Sequence, residues 1–186
     1  MPELQGRLGS AYLATGNAPR ALAVLEPIAR PELPGGLEAM NTLAVALTEQ
    51  RGFDRARQLL SAVLERSPRS ATTWTNLGIL ELSAGRPADA ARAFERAVAA
   101  DPNLGQAWEG LGAARVQSDP AGAVDAWKHV AELEPGNFDV LFNLAAVLHD
   151  QHRDAEARPY VERFVREAPP ARYAKDIAML RGWLTR

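Results

Sequence analysis

Thirty-four residues separate Trp74 from Trp108, Pro68 from Pro102 and Pro135 from Pro169, and 33 separate Pro102 from Pro135. A chain that restates itself at such an interval is built from stacked copies of one supersecondary unit, and nothing else in this sequence restricts the fold as strongly. Carried in both directions, the register gives five units, 2–36, 37–70, 71–104, 105–137 and 138–171, with 172–186 left over.

Most units open with a large residue, an apolar one three on and a small one beside it: Met40-Leu43-Ala44, Trp74-Leu77-Gly78, Trp108-Leu111-Gly112 and Leu141-Leu144-Ala145, with a weaker Gln5-Leu8-Gly9 in the first. That spacing is one face of a helix, and the small residue admits the close approach of another. After a turn marked by Gly16, Gly52 or Gly85, a second helical stripe follows: Ala21-Leu25-Ile28, Ala56-Leu60-Val63, Ala90-Phe94-Ala97, Ala123-Trp127-Val130 and Ala157-Val161-Phe164. The proline near each unit's end stops that helix, because it has no N–H to donate and disfavours helix in the residue before it. Each unit therefore predicts an antiparallel helix pair, with Trp74, Trp108 and Trp127 in the core.

The five units resemble the tetratricopeptide repeat (TPR) family, and the resemblance covers residues 2–171. It implies an all-α fold, an α-solenoid in which antiparallel helix pairs wind into a right-handed superhelix, as a single domain over 1–186. Glu81 and Arg115 stand where the family usually carries a tyrosine or another large apolar residue. They occupy one slot on successive first helices, so they either pair across units three and four or reach water separately. The fourth unit is one residue short in its "SDPAG" turn, and the first has its proline displaced to Pro34 by "ELPGG". These two units are expected to deviate locally.

Such a stack needs its ends covered. Tyr173, Ile177, Leu180 and Leu184 form one stripe, so 172–186 is expected to be an amphipathic capping helix with Trp183 folding over its edge. Ahead of Leu4 and Leu8 there is no equivalent, which leaves three expectations: a tolerant first unit, further sequence upstream, or self-association of that end.

The resemblance implies that the first helix of each pair lines a concave peptide-binding groove. Counting round those helices brings Glu38, Asn41, Val45 and Glu49, then Thr75, Ile79 and Leu82, then Glu109 and Val116, then Asp139, Phe142, His149 and Asp150 to that face or its margin. With Glu3 the face holds six carboxylates and no lysine or arginine. The expected partner is a protein or extended peptide that is apolar and basic, seated on the apolar positions and steered by the acids; the plainer reading is that the acids are solvated and keep the groove soluble. Lacking basic residues there, the chain does not resemble the family members that clamp the C-terminal carboxylate of chaperones. The expected function is a non-catalytic interaction scaffold. The alternative is a structural or self-associating segment of a larger polypeptide that could include an enzyme, joined as a homo-oligomer through the N-terminal end.

Composition narrows the remaining classes. A net charge of −2 and a pI near 6.0 supply no basic field for a nucleic-acid backbone. The cysteine count is zero, which removes disulfides, thiolate nucleophiles and cysteine-ligated zinc. No apolar run approaches a membrane span and no signal peptide is read at the start, so no membrane partner and a cytoplasmic location are the defaults. Arginine outnumbers lysine 19 to 2, which points to a GC-rich bacterial genome. "HDQHRD" brings His149, Asp150 and His152 together without a further convergent ligand, so no metal is expected. No catalytic residue, phosphate-binding loop or cofactor fingerprint is read.

Overall fold

The computed structural model describes residues 2–185. Among them are eleven helices and no strand: α1 (Pro2–Ala14), α2 (Ala18–Leu25), α3 (Gly36–Glu49), α4 (Phe53–Arg66), α5 (Ala71–Ser83), α6 (Pro87–Ala100), α7 (Gly105–Arg115), α8 (Pro120–Leu133), α9 (Phe138–Asp150), α10 (Asp154–Glu167) and α11 (Pro170–Leu184). The fold is an all-α helical-repeat solenoid. Two compact units are distinguished, residues 1–110 and 111–186. In the first, α1 to α6 pack in succession, and α1 also meets α3 as α3 meets α5, so the first helices form a layer of their own. In the second, α8, α9, α10 and α11 pack in succession.

The second-helix stripes carry this packing: all fifteen residues of the five triplets are buried. The small residues facing them are required by distance. A Cβ on Gly9 would stand 2.5 Å from Leu25, one on Gly78 2.7 Å from Phe94 and one on Gly112 2.3 Å from Trp127. Phe94 is wedged on its other side by Gly110, where a Cβ would stand 2.3 Å from its ring.

The prolines act as the periodicity predicts. α4, α6, α8 and α10 stop at Arg66, Ala100, Leu133 and Glu167, each two residues before Pro68, Pro102, Pro135 and Pro169. They have a second role. The indole N–H of Trp74 donates to the Pro68 carbonyl at 2.9 Å, and that of Trp108 to the Pro102 carbonyl at 2.8 Å. Both indoles are half-buried rather than core, a correction to the sequence expectation: their polar edge ties a new repeat to the end of the last.

Turn geometry departs from the glycine pattern at two places. The left-handed position between paired helices is Gly16 (φ 71°) and Gly85 (φ 74°) in the first and third repeats, but Arg51 (φ 61°) and His152 (φ 58°) in the second and fifth. Gly52 is the ordinary residue before α4, with φ −80°. In the fourth repeat the missing residue is this one: α7 ends at Arg115, whose carbonyl accepts from the N–H groups of Ser118 and Asp119, and no positive φ occurs between α7 and α8. The first repeat deviates too, since α2 has 8 residues where α4 has 14 and stops two residues short of Pro27.

Glu81 is buried at 4% exposure. The sequence offered Arg115 as its partner; its oxygens are instead taken by Arg57 Nε, 2.7 Å from Oε1, and by Arg86 Nε at Oε2. The hydrogen bond to Glu81 pushes the Arg57 guanidinium above its usual range, burial opposing it. Arg115 lies 3.9 Å from Asp119.

Candidate partner-binding site

In the first unit, α1, α3 and α5 enclose an open cavity of about 560 Å³. Of the residues singled out from the sequence it gathers Glu38, Asn41 and Val45, with Leu13 and Thr72 from the same faces. Its floor is a hydrogen-bonded polar chain. Asn41 Nδ2 donates to Thr73 Oγ1 at 3.0 Å, Thr73 Oγ1 lies 2.7 Å from the Ser70 hydroxyl, and Asn76 Nδ2 donates to Asn41 Oδ1 at 3.5 Å. Thr73 is fully buried, so this chain fixes the Asn41 amide at the cavity wall. Glu38 is the one charged residue among those lining the cavity, and it is exposed. Arg7 and Glu3 line a smaller neighbouring cavity of about 260 Å³ that Glu38 shares.

Ser70 was not foreseen, although a serine ahead of the α5 stripe is the sequence signal of a helix N-cap, and its Oγ accepts from the Thr73 N–H at 3.3 Å. Thr75 does not line this cavity. It is buried, and its hydroxyl donates to the Ala71 carbonyl at 2.9 Å within its own helix. Ile79 and Glu49 are exposed and Leu82 and Glu109 half-buried, none of them lining this cavity.

In the second unit the candidates are engaged by neighbouring helices. Asp139 accepts from Arg172 at 2.6 Å and from the Tyr173 hydroxyl at 2.9 Å, both on α11. Burial first, and then this hydrogen bond, push the Tyr173 hydroxyl above its usual range. Phe142 packs on Phe164 with ring centroids 6.0 Å apart. His149 stacks on Trp183 at 4.1 Å, as the expected fold of that tryptophan over the edge requires, and its Nδ1 lies 2.5 Å from Asp154 Oδ1. Asp139 and His149 are thus occupied by the chain's own last helix, whereas Asp150 is exposed and Val116 half-buried. Among the described residues no group of three or more histidine, cysteine, aspartate or glutamate side chains could hold a metal ion.

The family model described as the tetratricopeptide repeat matches residues 6–71, 41–105, 75–117 and 112–172. The chain belongs to the tetratricopeptide repeat family. Members are typically non-catalytic protein-interaction scaffolds. A curated relative, the peroxisomal targeting signal receptor of Yarrowia lipolytica, is 36% identical over 84 residues, which are 44% of this TPR chain and 14% of the receptor. The chain therefore spans a small part of that relative's length. Among solved structures, PilF of Pseudomonas aeruginosa matches with a TM-score of 0.80 at 22% identity, covering 90% of this chain and 77% of its own. MamA of Desulfovibrio magneticus RS-1 matches with a TM-score of 0.73 at 20% identity, covering 89% and 93%. At these identities the likeness is one of TPR fold. No described helix is long and apolar enough to cross a membrane.

Proposed function

We propose that this TPR chain is a non-catalytic scaffold that holds an extended, apolar and basic segment of a partner protein against the first-helix face of residues 1–110. The observation that carries this reading is the cavity of about 560 Å³ whose lining combines Leu13 and Val45 with the Asn41 amide and a single charge, the Glu38 carboxylate, and no lysine or arginine. Apolar anchors enter a preformed, hydrogen-bonded hollow, which lowers the ordering cost of binding. The carboxylate selects sign more than it adds affinity. That a relative is a targeting signal receptor supports a peptide as the guest.

The test is fluorescence polarisation with a labelled peptide alternating leucine and lysine. Glu38→Lys is expected to weaken binding about tenfold, with weaker binding as salt rises. Equal affinity for Glu38→Lys and wild type, or for a peptide with glutamate in place of lysine, overturns the reading.

A second reading is favoured by one observation: Leu4 and Leu8, one helical turn apart on α1, are 67% and 41% exposed. Such a stripe supports self-association. Light scattering over a concentration series should then show a dimer that Leu4→Glu abolishes; a strict monomer rules this out.

A further inference from the structure

A second cavity of the first unit, about 430 Å³, opens over α4, α5 and α6, and none of the candidate groove residues lines it. Four arginines do, Arg57 on α4 and Arg86, Arg92 and Arg96 at or along α6, against two carboxylates, Glu81 and Asp89. The excess is two positive charges. Arg57 is committed to Glu81 and Asp54, whereas Arg92, its side chain 72% exposed, gives only its Nη2 to Asp89. Arg86 gives its Nε to Glu81, while its Nη2 is buried without a hydrogen-bond partner. Arg96 is exposed. The Arg86 Nη2 is closed to an incoming group, but that side chain as a whole is 40% exposed, and a carboxylate is the acceptor whose geometry an exposed guanidinium fits best. The remaining wall is Trp74, its indole fixed by the bond to Pro68, with Leu77, Ala93 and one hydroxyl, that of Ser61.

We infer that this cavity is a docking site for an acidic, partly apolar segment of another protein, its carboxylates taken by Arg86, Arg92 and Arg96 and its apolar side chain laid on Trp74 and Leu77. The site goes beyond the first-helix groove and opposes it in charge. At 1.5 Å per residue the three arginines span about 15 Å of helix, the reach of about four to five extended residues, so the segment carries two acids spaced that far apart. A peptide is favoured over a nucleic acid because Glu81 and Asp89 share the cavity and the chain has net charge −2, both of which repel a continuous phosphate backbone.

The experiment is a polarisation titration with a labelled peptide bearing two glutamates four residues apart around a phenylalanine, with unlabelled peptide, inorganic phosphate and single-stranded RNA as competitors. Arg86 also holds buried Glu81, so the deciding variants are Arg92→Glu and Arg96→Glu, which leave Glu81 untouched. Each is expected to weaken binding about tenfold with unchanged helicity by circular dichroism, while Glu38→Lys in the groove leaves it unchanged. The inference is overturned if the Arg92→Glu, Arg96→Glu double variant binds like wild type, if a glutamine version of the peptide binds equally, or if RNA or phosphate displaces the peptide more effectively than the peptide itself.

Discussion

A carboxylate can be buried at position 81 because two guanidiniums share its oxygens, and that arrangement sets the cost of removing it. Glu81→Ala leaves Arg57 and Arg86, 31% and 40% exposed, facing each other across a void. Partial solvation of the arginines moderates the loss, so we expect about 2 kcal/mol of destabilisation, read from urea unfolding monitored by circular dichroism. Periodicity could place Glu81 on the inner stripe of its helix, yet it named Arg115 as the partner, because a stripe says which positions share a face and not which polar side chains of other helices reach it. The left-handed turn residues were hidden in the same way. Gly16 and Gly85 advertise themselves, whereas His152 is held at φ 58° by the turn between its helices. His152→Gly relieves that strain at some entropic cost and should raise stability by about 0.5–1 kcal/mol, seen as a higher Tm.

Among the elements, α11 shows where sequence pattern runs out. The stripe Tyr173, Ile177, Leu180 was legible and is buried. The wheel gave no sign that Arg172 and Tyr173 would take Asp139, or that Trp183 would take His149, so two candidate groove residues proved to be seats for this helix. In the first unit Glu38, Asn41 and Val45 line one cavity. Thr75 instead turns its hydroxyl back onto its own helix. The Asp139–Tyr173 contact gives α11 a pH dependence with a definite sign. Folded Tyr173 holds its proton more tightly than the unfolded chain does. Its contribution is therefore complete below about pH 10, the ordinary tyrosine value, and is lost as pH rises through the higher folded value. Hydrogen exchange of α11 should accelerate there, and Tyr173→Phe should remove that dependence at a cost of about 1 kcal/mol at neutral pH.

On the scale of the whole molecule, the fold was readable because one physical unit was written five times. Each alanine, bulky residue and apolar residue of a second helix had four counterparts, and all fifteen are buried. Stability in such arrays is a sum of local terms, so it should vary along the chain. α1 buries Gly9 alone, whereas α3 buries seven residues. Deuterium uptake in the first unit should accordingly be fastest in α1 and slowest across α3 to α6; uniform protection would contradict the additive picture.

The bond from each tryptophan to the carbonyl six residues earlier recurs at both ends of the third repeat. Trp74 reaches back to Pro68 across its entry, and Trp108 reaches back to Pro102 across its exit, with nearly equal lengths. Duplicating residues 71–104 would recreate the tryptophan seam, a Trp74 copy against Pro102, but would set an Asn76 copy where Gly110 lies against Phe94, so a chain lengthened by this repeat needs glycine at that one position of the copy.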